Sequence, residues 1–120
     1  MKNTFVQFAN LLHRFYAEQP AEYVAMDALL AYVCEANQMD VPVRVTDLVR
    51  LERFGTLPTL NRRLKNMTAR GLVEMVVGDD RRTRLIRVSP AGEAMLDNRA
   101  SLLREAAASE VRRGENQPLQ

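Results

Sequence analysis

The side chains best suited to chemistry in this sequence are cations, and they are concentrated in its middle. Residues 41–88 carry eleven Arg or Lys and five Asp or Glu, a net charge of +6, whereas residues 1–40 carry −3 and residues 89–120 carry −1. Arg and Lys bind phosphate oxygens, and they also pair with the O6 and N7 atoms of guanine. The distribution indicates one anion-binding module between two mildly acidic flanks, although a solvated surface can show similar clustering.

The strongest cationic pattern lies on a predicted helix from about residue 58 to residue 70. Leu60, Leu64 and Met67 recur at helical spacing, so they mark the buried face, and the opposite face is polar. No acidic residue occurs between Arg53 and Glu74, whereas an ordinary solvated face mixes charges of both signs. We therefore predict DNA contact here. The predicted DNA-binding residues in this region are Thr56, Thr59, Arg62, Arg63, Lys65, Asn66 and Arg70.

Position along this helix separates the expected roles. In a helix-turn-helix, residues near the start of the second helix reach base edges. Three residues are therefore expected at or near bases: Thr59, Arg62 and Arg63. Three lie deeper and are expected to bind phosphates: Lys65, Asn66 and Arg70. Arg63 and Arg70 fall on the flank of the helix, and the N–H groups that follow Thr56 offer a further phosphate site.

A second group of cations lies at a predicted turn. The strand-like residues 72–77 and the alternating residues 84–88 enclose turn residues and predict a β-hairpin. Its tip, residues 78–84, carries Arg81, Arg82 and Arg84, and arginine suits narrow minor grooves. Asp80 is assigned to wing structure, because an aspartate at a tight turn accepts backbone N–H bonds and can hold a neighbouring arginine.

The remaining elements must position this module. Periodicity predicts a helix over residues 4–18, a second from Ala21 to about residue 38, and a brief strand at residues 43–45. A short helix is expected over residues 47–54 with Thr46 as its N-cap, and Ser89 should cap a last helix over residues 90–112. A helix-turn-helix followed at once by a hairpin predicts a mainly α winged helix-turn-helix, with the hairpin as its wing.

The domain organisation follows from these elements. We expect a single domain over residues 1–113, a DNA-binding core over about 43–88, and a disordered tail over 114–120. The terminal helices 4–18 and 90–112 carry apolar faces that a compact winged core does not obviously cover. Homodimerisation through them is predicted, with packing inside one chain as the alternative. Two-fold symmetry would give a palindromic site with half-sites about one helical turn apart.

Two stretches of the sequence resemble the MarR family of winged-helix transcription regulators. Residues 58–74 are similar to the family's recognition helix and its exit, and residues 80–92, beginning Asp80-Arg81-Arg82, match its wing. The resemblance covers about residues 45–95. It implies a dimer built from the terminal helices, with each wing in a minor groove and the family's wing arginine at Arg81 or Arg82. Many members also bind small aromatic or phenolic ligands or sense oxidants, so an effector of unknown identity is possible for this chain. The sequence departs from the family in having only one helix after the wing.

Other residue types give no catalytic or metal-binding pattern. Cys34 lies in an apolar helix and is interpreted as a buried structural cysteine, because nothing near it in sequence lowers its pKa. His13 is the only histidine, and no metal spacing, phosphate loop or nucleophile motif occurs. We therefore predict no enzymatic activity, no cofactor and no metal. The sequence shows neither a signal peptide nor a membrane span, which favours a cytoplasmic protein.

These observations favour a sequence-specific, double-stranded DNA-binding transcription regulator, with repression as the expected output. It would read the major groove with helix 58–70 and the minor groove with wing 78–84. The alternative is a winged-helix module that binds proteins and not DNA. Acidic or apolar residues on the recognition face would favour that alternative, and the face lacks them.

Overall fold

A computed structural model of the protein describes residues 4–116, with side chains described as far as residue 109. The elements are α1 (Thr4–Tyr16), α2 (Ala21–Gln38), α3 (Val45–Arg50), α4 (Leu57–Ala69), β1 (Val73–Val77), β2 (Arg84–Val88) and α5 (Pro90–Asn116). This order confirms the mainly helical, winged helix-turn-helix architecture. The molecule is 64 Å long and about 25 Å across.

The core lies between α2, the helix-turn-helix and the hairpin. α2 supplies three fully buried aliphatic residues, and α4 buries the face that the periodicity predicted. The hairpin closes the core from the other side through its inward-facing positions. The side chains with the least exposure are Leu29, Leu30, Val33, Leu48, Leu60, Met67, Val73 and Ile86. Full burial of an aliphatic side chain contributes about 1.5–3 kcal/mol each, so this cluster dominates the stability of the fold.

α3 begins and ends earlier than the sequence indicated. Its N-cap is Arg44 and not Thr46, because the Asp47 carboxylate accepts the Arg44 backbone N–H at 3.0 Å and closes the first turn two residues earlier. The helix ends at Arg50 instead of extending to Phe54. Glu52 then takes a left-handed backbone with φ of 56°, which breaks the helix and lets the Phe54 side chain enter the core.

The hairpin has the predicted strands, paired antiparallel with Val73 opposite Val88 and Val77 opposite Arg84. The brief strand expected at residues 43–45 is reduced to a single bridge between Arg44 and Leu85. Beside it, the backbone N–H of Ile86 donates to the Val43 carbonyl at 2.8 Å. The wing is therefore attached to the start of α3 at one point.

A side chain from α2 also holds strand β2. The Asn37 amide oxygen accepts the Val88 N–H at 2.9 Å, and its amide nitrogen donates to the Ile86 carbonyl at 3.4 Å. Asn37 therefore continues the hydrogen bonding of the outer edge of β2, which would otherwise leave backbone groups unpaired beside the core.

The terminal helices differ from their predicted bounds. α1 ends at Tyr16, two residues short of the expected end, because residues 17–20 form a turn before α2. α5 continues to Asn116, four residues beyond the end that the sequence indicated, and so includes the first three residues of the expected tail. The rest of that predicted tail, residues 117–120, lies outside the described residues.

A buried polar cluster joins the terminal helices to α2. The Tyr16 hydroxyl donates to the Asp27 carboxylate at 3.0 Å, and Arg99 of α5 pairs with the same oxygen at 3.4 Å. Burial, reinforced by the carboxylate, raises the pKa of Tyr16 and keeps its hydroxyl protonated as a donor. Asp27 itself is only 6% exposed. One carboxylate thus connects α1, α2 and α5.

The start of α5 is fixed by a cap and a close backbone approach. As predicted, Ser89 is the cap: its hydroxyl oxygen accepts the Gly92 N–H at 3.0 Å and also donates to the Gly71 carbonyl. A Cβ on Gly92 would overlap the Leu72 carbonyl oxygen and would lie 2.7 Å from Cγ1 of Val88. Only glycine lets α5 pack this closely against the hairpin.

Gly92→Ala should lower the free energy of unfolding by about 2 kcal/mol, because the added methyl group must push α5 off the hairpin. Chemical denaturation of the purified variant measures this change. Ala94→Gly, at an exposed position of the same helix, is the control and should cost about 1 kcal/mol through helix propensity alone. A Gly92→Ala protein as stable as the wild type would show that the close approach does not constrain α5.

Candidate nucleic-acid interface

The outer face of α4 presents three exposed polar side chains: Arg62, Lys65 and Asn66. Their direction is set by the opposite face, which buries Leu60, Leu64 and Met67. Within the described part of the chain, none of the three exposed side chains makes a hydrogen bond or ion pair. They are therefore available to an external partner that carries acceptors and negative charge.

The N-terminus of α4 is also open. Thr56 is the N-cap residue in an extended backbone, but its side chain does not cap the helix. Its hydroxyl donates instead to the hydroxyl of Thr59 at 3.2 Å. The backbone N–H groups of Leu57 and Thr59 are left without a capping side chain, since Pro58 has no N–H and Leu60 donates to the Thr56 carbonyl. Helix N-termini with free N–H groups bind phosphate readily.

The structure places the two flanking arginines of α4 differently from their neighbours. Arg63 lies against α2, where its Nε donates to Glu22 at 2.9 Å, and its Nη1 donates to the Phe54 carbonyl at 2.8 Å. The Arg70 guanidinium lies 5.5 Å from the centre of the Tyr23 ring. The hydrogen bond from Arg63 lowers the pKa of Glu22. Arg63 therefore faces the body of the protein, whereas Arg70, the C-cap residue of α4, is exposed and contacts α2 through the Tyr23 ring.

The wing tip is shaped by Asp80. One carboxylate oxygen accepts the backbone N–H groups of Arg82 at 3.1 Å and Thr83 at 2.8 Å, and the other accepts the Thr83 hydroxyl at 2.6 Å. These bonds, led by the hydroxyl bond, lower the pKa of Asp80. Asp80 therefore binds backbone and hydroxyl groups, not an arginine side chain. All three wing arginines are exposed: Arg81, Arg82 and Arg84.

Arg81 has a left-handed backbone with φ of 63°. This conformation costs a residue with a Cβ about 1–2 kcal/mol relative to the right-handed region. Glycine would avoid the cost, so the arginine at this position is not chosen for the stability of the turn.

Several residues that shape this surface carried no recognisable sequence signal. Glu22 and Tyr23 are far from α4 in the chain, and no periodicity connects positions 22 and 63. Cys34, expected to be buried, is half-buried. Burial and the nearby Glu93 and Asp97 carboxylates raise its pKa, which keeps the thiol protonated.

Within residues 4–116, no group of His, Cys, Asp and Glu side chains is arranged to hold a metal ion. None of the helices described there is long and apolar enough to cross a membrane.

The fold and the arrangement of helix and wing define a winged helix-turn-helix of the kind found in MarR-type transcription regulators. The chain is similar to MepR, a transcription regulator of the Staphylococcus aureus multidrug efflux pump MepA, with a TM-score of 0.63 and 20% identity over 89% of this chain and 73% of MepR. It is also similar to a probable transcriptional regulator from Pseudomonas aeruginosa, with a TM-score of 0.53 and 23% identity over 86% of this chain and 73% of the other.

A third similar structure is BpsR of Bordetella bronchiseptica, solved to explain how 6-hydroxynicotinic acid regulates the DNA binding of that protein. Its TM-score is 0.55 at 14% identity, over 95% of this chain and 89% of BpsR. No protein-family model matches the sequence, and no curated protein matches it. The resemblance to the MarR family is thus confirmed at the level of the fold.

Asp80→Ala should loosen the wing tip, because it removes three hydrogen bonds at once. We expect amide hydrogen exchange at Arg82 and Thr83, followed by NMR, to accelerate by about tenfold or more, the equivalent of removing one to two hydrogen bonds. Asp79→Ala removes the same charge from the neighbouring position and is the control. Equal exchange in the two variants would mean that the turn holds its shape without Asp80.

Proposed function

We propose that this protein is a sequence-specific double-stranded DNA-binding transcription regulator that acts as a homodimeric repressor. The observation that carries the proposal is the exposed face of α4, where Arg62, Lys65 and Asn66 lie together without partners in the described chain. An ammonium, a guanidinium and an amide on one helix face match the phosphates and base edges of a major groove. The fold similarity to transcription regulators supports the same conclusion.

The contacts we propose divide between two grooves. α4 would enter the major groove, with Thr59 and Arg62 at base edges and Lys65 and Asn66 on phosphates. The phosphate nearest the helix N-terminus would bind the N–H groups after Thr56. The wing would place its exposed arginines in the adjacent minor groove, whose narrow form concentrates negative potential. The strained backbone at Arg81 supports a functional reason for an arginine there.

We further propose that α1 and α5 form the dimer. α1 buries none of its residues within one chain, and the Phe8 side chain is 55% exposed. On α5, Leu102 is 39% exposed, so apolar surface continues along the neighbouring helix. A second copy related by a two-fold axis would cover both faces and set the spacing of two α4 helices. The domain would then extend over residues 1–113 as one functional unit in the cytoplasm, and repression by occlusion would follow from occupancy of the site.

The DNA-binding proposal is tested by fluorescence anisotropy. The protein is titrated into a labelled duplex from upstream of its own reading frame and into a scrambled duplex, at about 50 mM and 200 mM salt. We expect preference for the first duplex, and about a thousandfold weaker binding at the higher salt if the dimer contacts six phosphates. Arg62→Ala should weaken specific binding by about tenfold to a hundredfold.

The controls separate the possible failures. Arg87→Ala removes one exposed arginine from β2, away from the wing tip, and should change binding little. Equal, weak binding to both duplexes would contradict a specific site upstream of the gene. Absence of binding at both salt concentrations would contradict DNA binding itself and direct attention to a protein partner.

The dimer is tested by Phe8→Glu, which places a charge in the proposed interface. Sedimentation equilibrium should show a dimer for the wild type and a monomer for the variant, and specific DNA binding should fall because two half-sites are no longer held together. Asn10→Asp adds a charge to the same helix at another exposed position and should leave the dimer intact. A monomeric wild-type protein would refute the proposed assembly.

A further inference from the structure

Arg63 is held by three hydrogen bonds. Its Nε and Nη2 atoms donate to the two carboxylate oxygens of Glu22 at 2.9 and 3.4 Å, and its Nη1 atom donates to the Phe54 carbonyl at 2.8 Å. The side chain is only 17% exposed. A guanidinium that satisfies a carboxylate and a carbonyl in this fixed geometry has few donors left for a phosphate.

Arg70 provides a second attachment on the same side of α4. It follows Arg63 by seven residues, which is close to two full turns, so the two side chains leave α4 in nearly the same direction about 10 Å apart. Its guanidinium packs over the ring of Tyr23, the residue next to Glu22. The first turn of α2 therefore contacts α4 at two points. Two contacts restrict both the tilt of a helix and its rotation about its own axis, whereas a helix held by one contact can still turn about that contact.

The hydrogen bond from Arg63 to the Phe54 carbonyl also attaches the connection between α3 and α4 to the same guanidinium. Gly55 follows Phe54 with φ of 103°, and a Cβ at Gly55 would lie 3.0 Å from Cγ2 of Thr59 and 3.4 Å from Nη1 of Arg63. The turn is thus packed directly against α4 and the guanidinium. Removal of the Arg63 side chain would therefore remove one hydrogen bond from the connection and the ion pair with α2 from the helix at the same time.

Arg63 and Lys65 should differ in their effect on the salt dependence of DNA binding. Arg63 and Glu22 form an ion pair that is neutral as a unit, unlike Lys65, which has no counter-charge bound to it in the described chain. Binding of DNA by Lys65 would release counterions from phosphate, whereas the Arg63–Glu22 pair would release none. The salt dependence of binding therefore distinguishes a residue that binds phosphate from one that positions the helix.

We propose that Arg63 and Arg70 are positioning residues: the first turn of α2, through Glu22 and Tyr23, clamps α4 at the angle needed for specific DNA recognition. This inference rests on the proposed DNA-binding function and assigns different roles to neighbouring cations on one helix. Arg62 and Lys65 contact the nucleic acid. Arg63 and Arg70 determine whether those contacts fall in register with the base pairs.

The decisive variant is Glu22→Gln, measured with a duplex that the wild-type protein selects from a random library and with a scrambled duplex. If Arg63 served as a phosphate ligand, removing the negative charge of Glu22 would tighten binding to both duplexes. The clamp predicts weaker binding to the specific duplex instead. We expect its affinity to fall at least tenfold, while binding to scrambled DNA stays within about twofold of the wild type.

A charge-conserving pair of substitutions sharpens the test. Glu22→Gln combined with Arg63→Gln keeps the net charge of the wild type, so the slope of log affinity against log salt should not change while specific affinity falls. Lys65→Gln is the matched control, since it removes one exposed charge from the same helix. It should reduce the slope by about 0.9 for each phosphate that the lysine neutralises, on both duplexes alike. A double variant whose slope falls as that of Lys65→Gln does would overturn the proposal.

Hydrogen exchange of the free protein provides a readout that needs no DNA. Glu22→Gln should accelerate amide exchange in the first two turns of α4 by about tenfold, whereas Lys65→Gln should leave it unchanged. Thermal unfolding followed by circular dichroism checks that each variant remains folded. Unchanged exchange in Glu22→Gln would refute the clamp even if DNA binding is confirmed. Accelerated exchange in a protein that binds no DNA would show that Glu22 holds α4 and would overturn only the role of the clamp in DNA recognition.

Discussion

The burial of Leu60, Leu64 and Met67 is the constraint on which the rest of this structure depends. These three side chains pack onto a core centred on α2, and together they fix which way every other residue of α4 points. Rotation of α4 by the angle of a single residue, about 100°, would turn these three side chains away from the core at a cost of several kcal/mol. Hydrophobic burial on one face of α4 thus determines which polar side chains are exposed on the other.

The same geometry explains why adjacent cations behave differently. Arg62 and Arg63 are neighbours in the chain, yet they leave the helix about 100° apart. The first therefore faces outward, while the second meets Glu22 on α2. α2 in turn is joined through Asp27 to Tyr16 of α1 and Arg99 of α5. A single helix consequently contacts both the surface that we assign to DNA and the helices that we assign to the dimer.

The sequence was sufficient for features that depend on neighbours along the chain. The periodicity of α4, the two strands of the hairpin and the Ser89 cap were all predicted, because each is determined within a few residues. Features that depend on distant partners were not. Arg63 meets Glu22 across 41 positions, and Asn37 supports β2 across 51. The start of α3 was misplaced because the reach of Asp47 back to Arg44 competes with an ordinary threonine cap, and local preference alone does not decide between them.

The way in which the wing tip is held has a consequence for how such a protein can change. Asp80 secures the turn through the backbone of residues 82 and 83 and through one hydroxyl, so the side chains at positions 81 and 82 are not needed to form it. The backbone shape of the tip therefore does not depend on which side chains it exposes at positions 81 and 82. Residues there can be exchanged without rebuilding the loop, which makes the wing a place where DNA preference could diverge between related proteins, or be redesigned, while the fold stays the same.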